Sequence, residues 1–514
     1  MRSERLKDRK LILIILLMAI YAVIYAHRMF TNMPWYDELY TYYSFISRGP
    51  VYGAIHWPLP NNHVGYSALS GFLSYFGNAT IALRGVSFIC AVINIYLVYY
   101  LSGKLLGGDI SFICTSLYGA VFLVHNMAVQ GRGYTLSTTC YLLSLIMLHR
   151  ICLGVNKKKE YIIFTICLFM GIYAVPSSTF WVIPVCICGG LYLLFNGQGK
   201  TLLKLIIASV AAALISLCLY LTIWLSIGSN LLSKDSSSPY YGIYQLNIIA
   251  RDPYAAAKRG LDYMLASPYI QSMDGAVVKR EIFTYLGFLF EQFYSGTGKL
   301  LIVFLGITAI VGIVRFAMNR TRFMELFIAV SVALLPVMLI IQSVQPYLRV
   351  FSYFGFVVAL SISMYLDLIR ERIFKGNPVF LKVITGLVTV LLVGVLFTGK
   401  YTAPMADREL DIANVLEEME NNGTPVDSLT SIYYTDDYQK YVIKYIYDKE
   451  IEELPMGECD YVLVSDTMED KDIGFIEWPM LTCSTSFDFD LLNERYEIIT
   501  EKGPYRVYRK KADE

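Results

Sequence analysis

Long apolar runs separated by short polar connections fill the first 400 residues of this 514-residue chain. Runs of about 20 apolar residues suit helices that cross a hydrocarbon core of about 30 Å. The pattern predicts eleven spans, at 11–28, 81–103, 110–128, 134–153, 161–175, 177–195, 203–229, 299–316, 324–342, 350–369 and 379–399. Pro176 and Pro184 interrupt the pair at 161–195, and one broken helix there would leave ten. Residues 29–80 are too polar to cross. Their segments ELYTYYSFIS and VGYSALSGFLSYFG repeat aromatic and apolar positions at helical spacing and suit helices lying in the membrane interface. A second long polar region, 230–298, carries the aromatic run IFTYLGFLFEQFY, and a connection of that length points to function.

Beyond residue 400 the pattern changes. DRELDIANVLEEMENNG reads as an amphipathic helix ending at Gly423. SLTSIYY and DYVLVS read as strands with the helical DDYQKYVIKYIYDKE between them, and YEIITEKGPYRVYRK reads as a closing hairpin. The expected fold class is therefore an α-helical polytopic membrane protein over residues 1–400, followed by a soluble α/β domain over residues 401–514.

Charge orients these elements. The ends that alternate with the N-terminus carry nineteen basic residues, five of them (Arg2, Arg5, Lys7, Arg9 and Lys10) before the first span. The short opposite loops hold only Arg28, Arg48, Arg84, Arg132 and Arg349. The positive-inside rule puts the N-terminus in the cytoplasm, and eleven spans put the C-terminal domain outside. The first segment lacks a small-residue cleavage site and reads as an anchor. The net charge of +1 conceals a division, because residues 401–514 carry 11 basic and 27 acidic side chains. Such a break marks a domain boundary near residue 400. The expected setting is the cytoplasmic membrane, with the lipid bilayer as a partner.

The first 400 residues hold only 15 acidic side chains, and two of them, Asp37 and Glu38, stand side by side just past the first span. Arg84, Arg132 and Arg349 lie at the outer ends of spans against the charge bias, and an arginine at an apolar boundary seeks an anion. A guanidinium fork matches two phosphate oxygens. His63, in PLPNNHVGY, shares that outer side. One outward-facing cavity that binds a phosphate ester beside a carboxylate accounts for all of them. Eight of the ten cysteines fall in or beside spans without metal-ligand spacing, and the outer domain holds Cys459 and Cys483, for which a disulfide is allowed. The chain has no P-loop, no GxGxxG, no zinc spacing, no nucleic-acid patch and no internal repeat. No cofactor is implied, and divalent-metal dependence stays open.

With DE after the first span, PNNHVGYSALSGF in the first outer loop, LRGVSF at the second span, VQGRGYTLSTTCYLL at the fourth and QPYLRVFSYF before the tenth, residues 10–400 resemble the GT-C glycosyltransferases. The resemblance is to the branch with protein O-mannosyltransferases, aminoarabinose transferases and RgtA-like bacterial enzymes. It implies an inverting transfer of a hexosyl or pentosyl group from a polyprenyl-phosphate-linked sugar to an extracytoplasmic acceptor. It matches Asp37 to the general base and Glu38 to the second acid of that motif. Arg132 and Arg349 match positions facing the donor phosphate, with Arg84 a looser match. Asn62, His63, Tyr134 and Tyr347 fall in the same motifs and are expected to touch substrate. The aminoarabinose transferases carry a lysine and a proline-rich stretch where this chain has PLPNNH, which favours the RgtA-like branch. A glycan polymerase or ligase using a diphosphate-linked donor would need similar arginines. A transporter would place charges nearer mid-membrane and show paired repeats.

Overall fold

The computed structural model describes residues 2–512 except 58–60, 107–108, 232–245, 267–272, 374–377, 404–405, 427–430, 435–436, 451–453 and 466–487. Cys483 thus lies outside the described residues. The chain divides into two compact units, one of residues 1–30 and 44–402, the other of residues 31–43 and 403–514. The segment after the first expected span therefore contributes thirteen residues, Asp37 and Glu38 among them, to the unit that holds the C-terminal segment.

The larger unit is helical. Its helices are α1 (Arg2–Thr31), α2 (Tyr36–Ser44, whose last residue alone belongs here), α3 (Pro50–Ile55), α4 (Val64–Leu73), α5 (Ala79–Leu105), α6 (Ile110–Gly119), α7 (Phe122–Met127), α8 (Tyr134–Cys152) and α9 (Lys158–Ala174). They continue as α10 (Thr179–Phe195), α11 (Gly199–Gly228), α12 (Leu246–Arg251), α13 (Pro253–Leu265), α14 (Gly275–Glu291), α15 (Gly298–Met318), α16 (Phe323–Gln342), α17 (Phe354–Ile373) and α18 (Pro378–Val395).

Among the described residues, seven stretches are long and apolar enough to cross a membrane: Arg9–Thr31, Ala79–Leu105, Tyr134–Cys152, Pro176–Phe195, Gly199–Gly228, Gly298–Met318 and Phe323–Gln342. The chain is a multi-pass membrane protein. The other four expected spans are not among these seven. Residues 110–128 break into α6 and α7, because the Phe122 and Leu123 amides donate to the carbonyls of Phe293 and Gln292, each at 2.9 Å. Residues 161–175 and 177–195 are two helices, joined by Val175 and a 3-10 turn at Pro176–Ser178. Helix α17 carries Asp367 and Arg370, paired at 2.7 Å, near its end, and among the described residues α18 contributes the apolar stretch Lys382–Val395.

Acids on the basic ends are spent in ion pairs. Glu160 meets Arg150 at 2.9 Å, and the buried Glu325 meets Arg322 at 2.7 Å and Arg315 at 3.2 Å. A low-dielectric flank makes an unpaired carboxylate costly, which fixes where such acids sit.

The smaller unit continues with α19 (Asp407–Asn421), β1 (Ile432–Tyr434), α20 (Asp437–Tyr447), β2 (Tyr461–Ser465), α21 (Phe489–Arg495), β3 (Tyr496–Lys502) and β4 (Tyr505–Lys510). The strands form one sheet in the order β1-β2-β4-β3, parallel between β1 and β2 and antiparallel elsewhere. A register shift between Ile498 and Thr500 marks a bulge in β3. The core joins Ile412, Leu416 and Met419 of α19, Val442 and Ile443 of α20, and Ile432, Leu463 and Val507 of the sheet. Leu39 of α2 is fully buried in that core, so helix α2 is an integral part of this unit.

Candidate functional site

In the larger unit, the site grows from the turn between α7 and α8. The Ser87 hydroxyl of α5 donates to the Gln130 carbonyl and approaches that of Arg132 at 3.3 Å, tying the turn to α5. The turn packs backbone against neighbours. A Cβ at Gly131 would lie 2.5 Å from the Leu83 side chain, and one at Gly133 would lie 2.3 Å from the Ala174 carbonyl oxygen. Only glycine allows this approach, and the result is an Arg132 side chain that is 3% exposed.

His63 stands at the start of α4 and meets this turn on both ring nitrogens. The Gly133 amide donates to Nδ1 at 2.9 Å, and Nη2 of Arg132 lies 3.2 Å from Nε2. Burial, then the charges of Arg132 and Arg349, hold the imidazole well below its usual pKa, so it is neutral. A neutral imidazole carries one proton. With Nδ1 accepting, that proton is on Nε2, and it faces a guanidinium that can only donate. An oxygen anion set against both would receive two hydrogen bonds.

Three more groups complete the cluster. Arg132 donates to the Asn61 side-chain oxygen. The Tyr134 ring stands edge-on to His63 with centroids 4.9 Å apart, and its hydroxyl accepts from Nε of Arg349 at 3.2 Å. The Arg349 guanidinium also lies 4.1 Å from the Tyr347 ring centroid, a cation–π contact. Helix α14 holds this segment, since the Tyr285 hydroxyl donates to the Pro346 carbonyl at 2.6 Å. Nearby in sequence, Gln345 is buried with neither end of its amide paired among the described residues. Of the expected residues, the structure thus gathers His63, Arg132, Tyr134, Tyr347 and Arg349.

Asn62 and Arg84 are placed differently. The Asn62 amide donates to the carbonyls of Gly53 at 2.8 Å and His56 at 2.7 Å and accepts from Ser67 at 2.6 Å, so it closes the end of α3. Its neighbour Asn61 is the one that meets Arg132. The buried Arg84 donates from Nη1 to the Met29 carbonyl at 3.0 Å, at the end of α1.

The acidic pair belongs to the smaller unit and occupies the first turn of α2. The Glu38 and Leu39 amides donate to the Trp35 carbonyl, making Trp35 the N-cap. Glu38, 1% exposed, reaches back to the Trp35 amide at 3.3 Å, the return half of a capping box. Asp37 is half-buried. The Tyr36 amide donates to Oε1 of Glu409 in α19 at 2.7 Å. Among the described residues no three His, Cys, Asp or Glu side chains group as a metal site would require.

Residues 64–225 match the family of dolichyl-phosphate-mannose-protein mannosyltransferases, a segment that includes Arg84, Arg132 and Tyr134. Among solved structures, the oligosaccharyltransferase of Archaeoglobus fulgidus in complex with Zn and sulfate superposes with a TM-score of 0.52 at 13% identity. That alignment covers 95% of this chain and 73% of the archaeal one. The archaeal oligosaccharyltransferase AglB from the same organism, in complex with an inhibitory peptide and a dolichol-phosphate, reaches 0.49 at 12% identity over 89% and 70% of the two chains. No curated protein matches this chain. Residues 64–225 thus match a family of membrane glycosyltransferases, and the fold of the chain is similar to that of the archaeal oligosaccharyltransferase.

Proposed function

We propose that the chain moves a sugar from a polyprenyl-phosphate-linked donor to an acceptor outside the cytoplasmic membrane. The observation that carries this reading is the meeting of His63 and Arg132 at 3.2 Å, with Arg349 held beside them on the Tyr134 hydroxyl. His63 Nε2–H, Arg132 and Arg349 supply two cations and a neutral N–H, a set suited to phosphate oxygens. The family match supports a lipid-phosphate donor. In this reading Arg132 and Arg349 hold the phosphate and stabilise the charge it gains as the glycosidic bond breaks. Tyr134 and Tyr347 position Arg349, and Asn62 shapes the loop that presents His63. Gln345 offers one donor and one acceptor to sugar hydroxyls. Arg84 joins α1 to α5 and adds positive charge.

Asp37 is the general base. It takes the proton of the acceptor hydroxyl as that oxygen bonds to the anomeric carbon, and the lipid phosphate leaves with the bonding electron pair. The phosphate needs no proton to leave. An attack from the face opposite the phosphate inverts the anomeric centre. Glu38 keeps the helix end closed. Basic-residue bias supports a cytoplasmic N-terminus and an external C-terminal domain.

The test uses purified full-length protein in vesicles with a sugar-labelled polyprenyl-phosphate donor. Thin-layer separation of the spent lipid is expected to show polyprenyl monophosphate. Release of a polyprenyl diphosphate from a diphosphate-linked donor, with the monophosphate donor untouched, would replace this reading with that of a glycan ligase.

A further inference from the structure

Within the smaller unit, the C-terminal segment does more than cover α2. Its Glu409 is 2% exposed and places Oε1 2.7 Å from the Tyr36 amide, the first N–H of the helix whose next residue is Asp37. Helix N-termini leave such amides without helical partners. Glu409 therefore sets where the first turn begins, while Leu39 one turn on is sunk in the core with Ile412 and Leu416. Tyr441 of α20 clasps the outer side, with its ring 5.8 Å from that of Tyr36 and stacked on that of Tyr43 at 5.8 Å. Asp37 lies between these fixed points, and nine residues of helix provide too few hydrogen bonds to hold its shape alone.

From this geometry we propose that Glu409 is a positioning residue for Asp37, and that the C-terminal domain acts as the clamp that presents the general base. The inference rests on the assignment of Asp37 as base. Burial, with the Asp37 charge adding, raises the Glu409 carboxyl above its ordinary pKa, although Arg408 and the Tyr36 amide pull it back. A raised carboxyl favours the folded state at low pH and loses that contribution as pH rises through its folded pKa. Glu409→Gln keeps an acceptor for the Tyr36 amide, so its thermal midpoint is expected to stay near that of wild type.

The test compares Glu409→Gln, Glu409→Ala and Asp37→Asn in full-length protein reconstituted in vesicles. Gln keeps a carbonyl for the Tyr36 amide, and turnover is expected to stay within about twofold of wild type. Ala removes the acceptor, and kcat is expected to fall about 10- to 100-fold with the donor KM unchanged. If the Ala variant does not fold, Glu409→Leu in its place, and Tyr36→Pro against Tyr36→Ala, remove the acceptor and the amide separately. Pro is accommodated at the first helical position and lacks only the N–H. Wild-type kcat in the folded Ala or Leu variant while Asp37→Asn is inactive would overturn the positioning role alone. A donor KM that rises as steeply as kcat falls would also overturn it. An active Asp37→Asn would remove the base and this inference together.

Discussion

His63 and Arg132 meet donor to donor. The Gly133 amide occupies Nδ1 of the ring, so Nε2 carries the proton and lies 3.2 Å from Nη2 of the arginine. Two N–H groups at that distance repel mildly until an oxygen anion accepts from both. In the proposed reading that anion is the donor phosphate, and the charge of Arg349 acts on the same imidazole.

The arginines should separate binding from folding. Arg132→Ala and Arg349→Ala are expected to weaken use of the lipid-phosphate donor by about 1.5–3 kcal/mol each, the range for a lost charge-assisted contact. Lysine should restore only part, because it lacks the fork. Donor titrations of each variant check this, and unchanged donor affinity in both alanine variants would put the phosphate elsewhere.

His63 predicts a pH dependence with a definite sign. Its folded pKa is depressed, so its contribution to stability is present above the ordinary imidazole pKa of about 6.5 and declines as pH falls below it. His56, held at about 4 mainly by burial and also by Arg48, works in the same direction. Thermal midpoints measured from pH 7 to pH 5 should fall in the wild type and fall less in His63→Gln, which keeps an acceptor for the Gly133 amide. Equal slopes would show that His63 is not held neutral by this environment.

Gly133→Ala should be harmful out of proportion to its size. The added carbon would sit 2.3 Å from the Ala174 carbonyl oxygen and 3.3 Å from Nδ1 of His63. Overpacking of this kind costs about 1–3 kcal/mol. A lower thermal midpoint together with a weakened donor affinity is expected, and an unaltered protein would show that the turn has room to move.

Orientation has its own check. Single cysteines placed at Lys158, Ala257 and Asn421 in a cysteine-free background should label from inside, outside and outside respectively. Labelling of Asn421→Cys only after lysis would invert the expected topology of the C-terminal domain.

Much of this was legible because it depends on local pattern. Apolar runs announce helices, and the helix DRELDIANVLEEMENNG and the hairpin at Tyr496–Lys510 emerged where alternation and turn residues placed them. What depends on distant partners was not. The break between α6 and α7 is made by carbonyls of Gln292 and Phe293, about 170 residues away in the chain. Periodicity cannot tell Asn61 from Asn62, though one meets Arg132 and the other closes α3. Glu409 reads as one acid among several on an amphipathic helix, and only packing of α2 against α19 gives it a partner. The acidic pair itself was conspicuous, yet nothing in its spacing told that Glu38 turns back to accept from the Trp35 amide.

The most direct test of the account is turnover by Asp37→Asn under saturating lipid-phosphate donor, measured beside donor binding to the same protein. Asparagine keeps the shape and removes the proton acceptor, so transfer should fall about 100-fold or more while donor affinity stays near wild type. Glu38→Gln, which can still reach the Trp35 amide, should lose less. Near-normal transfer by Asp37→Asn would contradict the carboxylate mechanism, and with an inactive Glu38→Gln it would assign the base to Glu38.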